Sequence, residues 1–359
     1  LDGVFNHIGV SSPMYQEGKV DQQSTYRDFF DFNSDYPEGV RCWVDAPSLI
    51  ELNLEHPKVQ DYIYHKETSV IQSYLLKGID GWRLDVAFDI GYQYLKDITD
   101  AAHRIHPQNA VIGEIPNYPK VWLKRLSGVM NFTFREIILR LLTQKVTMPF
   151  AQLMLSKTIE DAGIEDILKS WIVIDNHDVP RLNHEFKSLE QQKLAWVLLM
   201  TLPGSPNVYY GSELGMTGGI DPENRAPMDW SLVSDHNETY QFVRSLIDVR
   251  QASIALKVGD YMPIVSDQLF GFVRYTDDVK DTRIILLNTS DDIIHTHMMI
   301  PMSDIMHFST FDVLHGQAEQ LHMTASLLEV TLLPKSYVIF KPHTDVDVSY
   351  SAYKRVQKI

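Results

Sequence analysis

The stretch IDGWRLDV, residues 79–86, is an apolar, strand-like run that ends in an acidic residue, Asp85. Similar short runs recur along the first two thirds of the chain: LDGVF at 1–5, AVIGEI at 110–115, SGVMNF at 127–132, SWIVID at 170–175 and PNVYYG at 206–211. Helices are expected between them, at about 57–76, 89–105, 133–162, 187–202 and 237–256. This alternation predicts an α/β fold built from βα units around a parallel sheet.

The pattern changes along the chain in two places. Residues from about 8 to 55 contain Pro, Gly and Asp and are too many for a simple loop, which predicts an inserted subdomain. From Gly259 onward, short β-rich runs predict an antiparallel β-sandwich. The expected division is therefore an α/β domain at 1–257, a sandwich at 258–343 and a C-terminal tail at 344–359.

The overall charge and the apolar content exclude several partners. A formal net charge of -15 disfavours nucleic acid and anionic membranes, because an acidic surface repels both. No apolar run of about 18 residues could span a bilayer. The single cysteine, Cys42, excludes an intrachain disulfide, which favours the cytoplasm without excluding export. Because the sequence opens inside a strand-like run, we expect an N-terminal segment to be missing.

Polar residues follow the ends of several predicted strands. Three of them are carboxylates, Asp85, Glu114 and Asp178, which would converge where parallel strands end. Such a cluster suggests function, because like charges repel and each carboxylate loses hydration. Nearby residues supply cationic or hydrogen-bonding partners: Asn6, His7, Arg83 and His177. These residue types suit a glycosidase and also a metal-dependent hydrolase.

Four motifs resolve that ambiguity through a resemblance. DGVFNH, GWRLDVA, GEI and IDNHD occur in the order of the conserved regions of the α-amylase superfamily, glycoside hydrolase family 13. A fifth block, GSPNVYYGSELGMTGGIDPENRAPMDW at 204–230, resembles the neopullulanase and cyclomaltodextrinase branch. The resemblance implies a partial (β/α)₈ TIM-type barrel with about six of its eight βα units, because the first strand, 1–5, matches the family's third.

The resemblance also implies a role for each matching residue. Asp85 would be the nucleophile, Glu114 the general acid/base and Asp178 a stabilising carboxylate in a retaining mechanism. Substrate contacts would come from four further residues: His7, Arg83, His177 and Arg181. The implied function is hydrolysis of α-1,4 glucosidic bonds, with α-1,6 bonds as a second candidate, in malto-oligosaccharides, cyclodextrins, pullulan or starch. Two alternatives remain: a 4-α-glucanotransferase using the same residues, and an inactive or non-catalytic carbohydrate-binding or interaction fragment.

Further expectations concern ligands and partners. No cofactor is expected to be required. Asn6 is either a ligand of a structural calcium ion or a purely structural residue. Asp89 stands at a position where calcium-binding amylases often carry His. The implied partner is an α-glucan oligosaccharide, and a homodimer would form through an N-terminal region absent from this sequence. Ile115, Pro116 and Asn117 replace the Trp-His pair often found after the acid, which leaves the acceptor-side preference open.

Aromatic residues complete the set of candidates. Trp82 lies inside a predicted barrel strand, so we expect it to pack in the core. Four other rings lie in loops or at strand ends, where they could serve as stacking platforms for sugars: Tyr15, Trp43, Tyr118 and Tyr209.

Overall fold

The computed structural model describes residues 1–305, 307 and 309–344. The chain divides into two compact units, Leu1–Met130 and a second that begins at Asn131. The predicted tail, 344–359, lies outside the described residues apart from Thr344.

The first unit alternates strands and helices. In chain order the elements that begin in it are β1 (Asp2–Gly3), β2 (His7–Gly9), α1 (Pro13–Val20), β3 (Leu49–Glu51), α2 (Pro57–Gln60), α3 (Val70–Leu76), β4 (Gly81–Leu84), α4 (Ala87–Ile90), α5 (Tyr92–Ile105), β5 (Ala110–Ile115) and β6 (Gly128–Asn131). These bounds confirm the predicted strands near 1–5, 79–86, 110–115 and 127–132. Strand β5 has the predicted bounds, and the other three strands are shorter than their apolar runs.

Strands β1, β4 and β5 pair in parallel and in that order. Asp2 is opposite Arg83, and Leu84 is opposite Gly113. A Cβ atom at Gly81 would lie 2.1 Å from the carbonyl oxygen of Ala110, so β4 can approach β5 only with glycine there. Parallel pairing brings the carboxyl ends of β4 and β5 to one edge.

Two predicted helices are interrupted. The helix expected at 57–76 changes to a π-helical turn at Asp61–His65 and restarts as α3, whose N-cap Ser69 accepts a hydrogen bond from the amide of Gln72. In the second unit, the helix expected at 133–162 is similarly divided after Leu142 and restarts at the N-cap Thr147. Local side-chain caps end and begin helices more sharply than apolar periodicity indicates.

The segment between the first barrel strands returns on itself. Strands β2 and β3 pair antiparallel, with His7 opposite Glu51, and the residues between them form α1 and short 3₁₀ turns. This pairing brings the two ends of the inserted segment together, with Gly9 opposite Leu49.

The second unit continues the alternation up to residue 258. Its elements there are α6 (Phe132–Leu142), α7 (Met148–Ala162), α8 (Ile164–Lys169), β7 (Trp171–Val173), α9 (Leu182–Glu185), α10 (Leu189–Thr201), β8 (Ser205–Asn207), α11 (Glu238–Gln251) and α12 (Ile254–Val258). Strands β7 and β8 are parallel. The last strand is shorter than predicted, because the chain turns at Tyr209–Gly211 instead of extending to residue 211.

The remaining strands are antiparallel. They are β9 (Asp260–Ile264), β10 (Phe270–Tyr275), β11 (Arg283–Leu287), β12 (Ile294–Met299), β13 (Phe311–Gly316), β14 (Glu319–Thr324), β15 (Leu327–Leu332) and β16 (Tyr337–Pro342). One sheet has the order β13-β16-β11-β10-β9 and the other β12-β15-β14. Alternate residues of both sheets, such as Ile284 and Leu328, form one buried apolar cluster. This packing confirms the predicted sandwich.

Within the described residues, none of the helices has the length and apolar content needed to cross a membrane.

Candidate active site

Arg83 links three carboxylates at the edge where β1, β4 and β5 end. Its Nη1 atom donates to Asp85 Oδ1 at 2.6 Å and to Asp2 Oδ1 at 2.8 Å. Its Nη2 atom lies 2.9 Å from Glu114 Oε2, an ion pair without hydrogen-bond geometry. Burial opposes the charged guanidinium, but the three carboxylates outweigh it and raise the pKa of Arg83. One cation therefore holds Asp85 and Glu114 close together.

The backbone after β4 shapes this cluster. Asp85 follows the last residue of the strand, and Val86 takes a left-handed conformation with φ of 46° as the N-cap of α4. A β-branched residue rarely adopts this conformation, so the tight turn is held by its surroundings. The amide of Val86 donates to Glu114 Oε2 at 3.0 Å. Glu114 is thus fixed by both a side chain and a main-chain group of the β4 segment.

His7 lies beside these carboxylates and is largely buried. Its Nδ1 atom contacts the amide nitrogen of Asn6 at 3.4 Å. Burial lowers the pKa of His7, and the negative charge of Asp85 opposes that shift. The neutral imidazole is therefore the favoured form, which can donate one hydrogen bond and accept another.

The structure offers no ligand cluster for a metal in the first unit. Among the residues described, no group of three or more His, Cys, Asp or Glu side chains could hold a metal ion. The amide nitrogen of Asn6 contacts His7, and Asp89 Oδ2 accepts a hydrogen bond from the Trp43 indole. Calcium at Asn6 stays a prediction.

Asp178 belongs to a polar cluster within the second unit. Its two carboxylate oxygens lie 3.2 Å from His177 Nε2 and 3.1 Å from Arg225 Nη2. The Asn176 side chain accepts hydrogen bonds from the backbone amides of Asp178 and Val179 and so shapes the turn. Asp178 and His177, which the sequence predicts together, are therefore in contact with each other and remain accessible.

Arg225 is a residue that the sequence analysis did not single out. Its Nε atom donates to the carbonyl oxygen of His177 at 3.0 Å, in addition to its ion pair with Asp178. It lies within the 204–230 block, whose resemblance to the family was the sequence feature that could have indicated a role for Arg225. The match identified the block without indicating which of its residues reaches Asp178.

Arg181 differs from the prediction that it contacts substrate. The side chain is fully buried, and its guanidinium lies 4.4 and 4.6 Å from the ring centres of Tyr209 and Tyr210. Its Nη1 atom donates to the carbonyl oxygen of Tyr210. The nearby carboxylate of Asp175 is buried too, which raises its pKa. In this position Arg181 supports the loop and has no surface to offer a sugar.

The aromatic residues proposed from the sequence differ in their exposure and contacts. Trp82 packs in the core, as predicted, with only 5% of its surface exposed. Tyr15 is buried against Phe30 and Phe32, so the prediction of an exposed sugar platform was wrong for this ring. Tyr118 is exposed, and Tyr209 donates its hydroxyl to the carbonyl of Asn224. Trp43 stacks on His7.

Parallel βα units with carboxylates and an arginine at the strand ends place the chain in the (β/α)₈-barrel class. Residues 1–258 match the family described as alpha amylase, catalytic domain. The chain therefore belongs to the α-amylase family. Its fold is a partial (β/α)₈ barrel followed by an antiparallel β domain, as predicted.

Known relatives support the predicted branch. The chain is 29% identical to a cyclomaltodextrinase of Geobacillus thermopakistaniensis, with 95% of this chain and 58% of the relative covered. It is 27% identical to neopullulanase 2 of Thermoactinomyces vulgaris, covering 90% and 57%. The solved debranching enzyme of Nostoc punctiforme superposes with a TM-score of 0.82 at 25% identity, covering 95% and 75%. The chain thus spans little more than half the length of these curated relatives.

Proposed function

We propose that this chain carries the catalytic centre of a retaining α-glucan hydrolase. Its substrates are glucans of the malto-oligosaccharide, cyclodextrin or pullulan type, with α-1,4 bonds as the first candidate for cleavage and α-1,6 bonds as the second. The names of its relatives, cyclomaltodextrinase and neopullulanase, support this substrate class. The observation on which the proposal rests is the single guanidinium of Arg83 that contacts both Asp85 and Glu114.

Each carboxyl group has one role in this proposal. Asp85 Oδ attacks the anomeric carbon while Glu114 transfers its proton to the departing glycosidic oxygen, and the bond between that oxygen and the carbon breaks. Glu114 then takes a proton from water, whose oxygen attacks the same carbon and releases Asp85. Two displacements at one carbon retain its configuration. Arg83 donates a hydrogen bond to Asp85 Oδ1 and so orients the attacking carboxylate.

Asp178, His177 and Arg225 would bind sugar hydroxyl groups. Support comes from the position of Asp178 and His177 in the IDNHD motif and from their contact with each other in the second unit. Arg225 donates a hydrogen bond to Asp178 Oδ1 at 3.1 Å, and carboxylate oxygens are strong acceptors for sugar hydroxyls. His7, with its neutral imidazole, would fill the same kind of role in the first unit.

Two substrates separate the nucleophile from the acid. Maltotriose needs protonation of its leaving group, whereas α-maltosyl fluoride does not. In the full-length protein, Glu114→Gln should lower maltotriose hydrolysis by roughly 10³-fold or more but still release a burst of one fluoride per active site. Asp85→Asn should lose both activities. Mass spectrometry of the Glu114→Gln protein after the burst should find a maltosyl group on Asp85.

Asp80→Asn is the matched control for Asp85→Asn, because exposed Asp80 lies at the opposite end of the same strand segment. It should keep wild-type rates with both substrates. Undiminished maltotriose hydrolysis by Asp85→Asn, or a maltosyl group on another residue, would overturn the assignment.

The glucanotransferase alternative stays open, because Ile115, Pro116 and Asn117 replace the Trp-His pair after Glu114 and leave the acceptor-side preference undetermined. Products from maltotriose distinguish it. Glucose and maltose should dominate for a hydrolase, and oligosaccharides longer than maltotriose should dominate for a transferase.

A further inference from the structure

Trp43 is presented by a strained turn. It begins a 3₁₀ turn, Trp43–Asp45, in which Val44 has φ of 44° and Asp45 has φ of 57°. Two consecutive non-glycine residues in the left-handed region are unfavourable, and the first is β-branched. Burial of Val44 does not offset the strain, because 69% of its side chain is exposed. We therefore attribute the strained turn to the contacts that the neighbouring Trp43 makes.

Trp43 makes two directed contacts with residues distant in sequence. Its indole N–H donates to Asp89 Oδ2 at 2.8 Å. Its ring stacks on the imidazole of His7, with ring centres 4.7 Å apart and planes within 7°. The face of Trp43 that meets His7 is not available to a sugar, so this ring differs from an open stacking platform.

Asp89 lies in the segment that carries the nucleophile. It belongs to α4, which begins directly after Asp85 and Val86. The amide of Val86 in turn donates to Glu114 Oε2. A continuous path therefore runs from the Trp43 indole through Asp89 and the short helix to the carboxyl group of Glu114, and all of it lies in the first unit.

We propose that Trp43 and Asp89 form a clamp that positions His7, α4 and, through Val86, Glu114 for catalysis. The inference rests on the proposed function of Asp85 and Glu114. Trp43 is a positioning residue in this proposal, because it reaches the reacting groups only through other residues. The helix α4 has four residues and no side-chain cap, so a contact from outside is needed to fix its direction.

Variants that remove one half of the contact test the clamp in the full-length protein. Trp43→Phe keeps an aromatic ring for His7 and removes the N–H donor. Asp89→Ala removes the acceptor, and Asp89→Asn keeps one. Trp43→Phe and Asp89→Ala should each lower kcat for maltotriose about tenfold, because small displacements of catalytic groups are costly. The double variant should lose no more than either single variant, and Asp89→Asn should stay within about twofold of wild type.

The fluoride substrate shows whether the loss acts through Glu114. α-Maltosyl fluoride needs no protonation, so its turnover to the glycosyl-enzyme should fall less than maltotriose hydrolysis does. Hydrogen exchange of the backbone at residues 86–91 should accelerate in Trp43→Phe. Trp171→Phe, at the start of β7, is the control for loss of an indole and should leave both rates unchanged.

Three results would overturn the clamp: unchanged kcat in Trp43→Phe, fully additive losses in the double variant, or equal losses for both substrates together with a lowered Tm. These failures differ from failure of the proposed function, which Asp85→Asn tests independently. If Asp85→Asn is inactive while Trp43→Phe is normal, only the clamp is wrong.

Discussion

Two buried arginines in different regions of the molecule have different partners and opposite pKa shifts. Arg83, at the strand ends of the first unit, contacts the carboxylates of Asp2, Asp85 and Glu114, which raise its pKa. Arg274, on β10 of the second unit, is completely buried and donates to backbone carbonyls, including those of Thr201 and Gly259. Burial lowers the pKa of Arg274 to about 9.

The two arginines differ in the groups whose hydrogen-bonding or charge they compensate. Arg274 supplies donors to carbonyl groups at the ends of α10 and α12, which have no partner within their helices. It therefore joins the barrel helices of the second unit to the antiparallel strands. Arg83 compensates a concentration of negative charge that the fold alone does not need. A buried arginine that contacts carboxylates indicates a catalytic site. A buried arginine that contacts backbone carbonyls indicates a structural role.

The largest expected effect is on catalysis at Arg83. Arg83→Lys keeps the charge but cannot span Asp85 and Glu114 with two nitrogens, so kcat/KM for maltotriose should fall by about a thousandfold. Steady-state kinetics measures this loss. The exposed Arg104, on α5, provides the control variant Arg104→Lys. A loss below tenfold for Arg83→Lys would remove the distinction between the two arginines.

Arg274 should affect stability and leave chemistry unchanged. Arg274→Met leaves several buried carbonyl groups without donors, so the free energy of unfolding should fall by about 3 kcal/mol. Urea unfolding followed by circular dichroism measures this change, and kcat of the folded protein should stay within about twofold. Arg244→Met, an exposed position on α11, should change neither quantity. A selective fall in kcat would show that Arg274 is coupled to the active site.

The smallest effect is expected from His315, a half-buried titratable group that has hydroxyl partners. Its ring nitrogens lie 2.7 Å from Ser245 Oγ and 2.7 Å from Tyr337 Oη, and burial lowers its pKa. The unfolded chain therefore binds the proton first. The stabilising contribution is present above the unfolded pKa of about 6.5 and is lost as pH falls through the lower folded pKa.

Removing His315 should remove that part of the pH dependence. Between pH 7.5 and 5, the loss in unfolding free energy should be smaller in His315→Gln than in wild type, by about 1 kcal/mol or less. Thermal unfolding at a series of pH values measures the difference. Parallel pH profiles for the two proteins would show that His315 does not titrate in this range.

The positions of strand ends could be predicted from sequence, and with them Asp85 and Glu114. Apolar runs identify buried strands, and in a parallel sheet their carboxyl ends share one edge. Side-chain burial could not be predicted in the same way. Tyr15 and Arg181 lie in polar-looking segments, yet both are buried by rings that arrive from elsewhere in the chain. The shortened strand at Ser205–Asn207 likewise reflects a turn that apolar content does not reveal.

By itself, the sequence determined the α/β class, the antiparallel C-terminal region, the family and the carboxylates at the strand ends. Periodicity and short motifs are local properties, and they survive without knowledge of distant contacts. Only the tertiary structure decided that Arg83 joins Asp85 to Glu114, that Arg225 reaches Asp178 and that Trp43 contacts His7 and Asp89. Those pairs are set by the meeting of segments up to about 47 residues apart, where directed hydrogen bonds and ring packing depend on three-dimensional position.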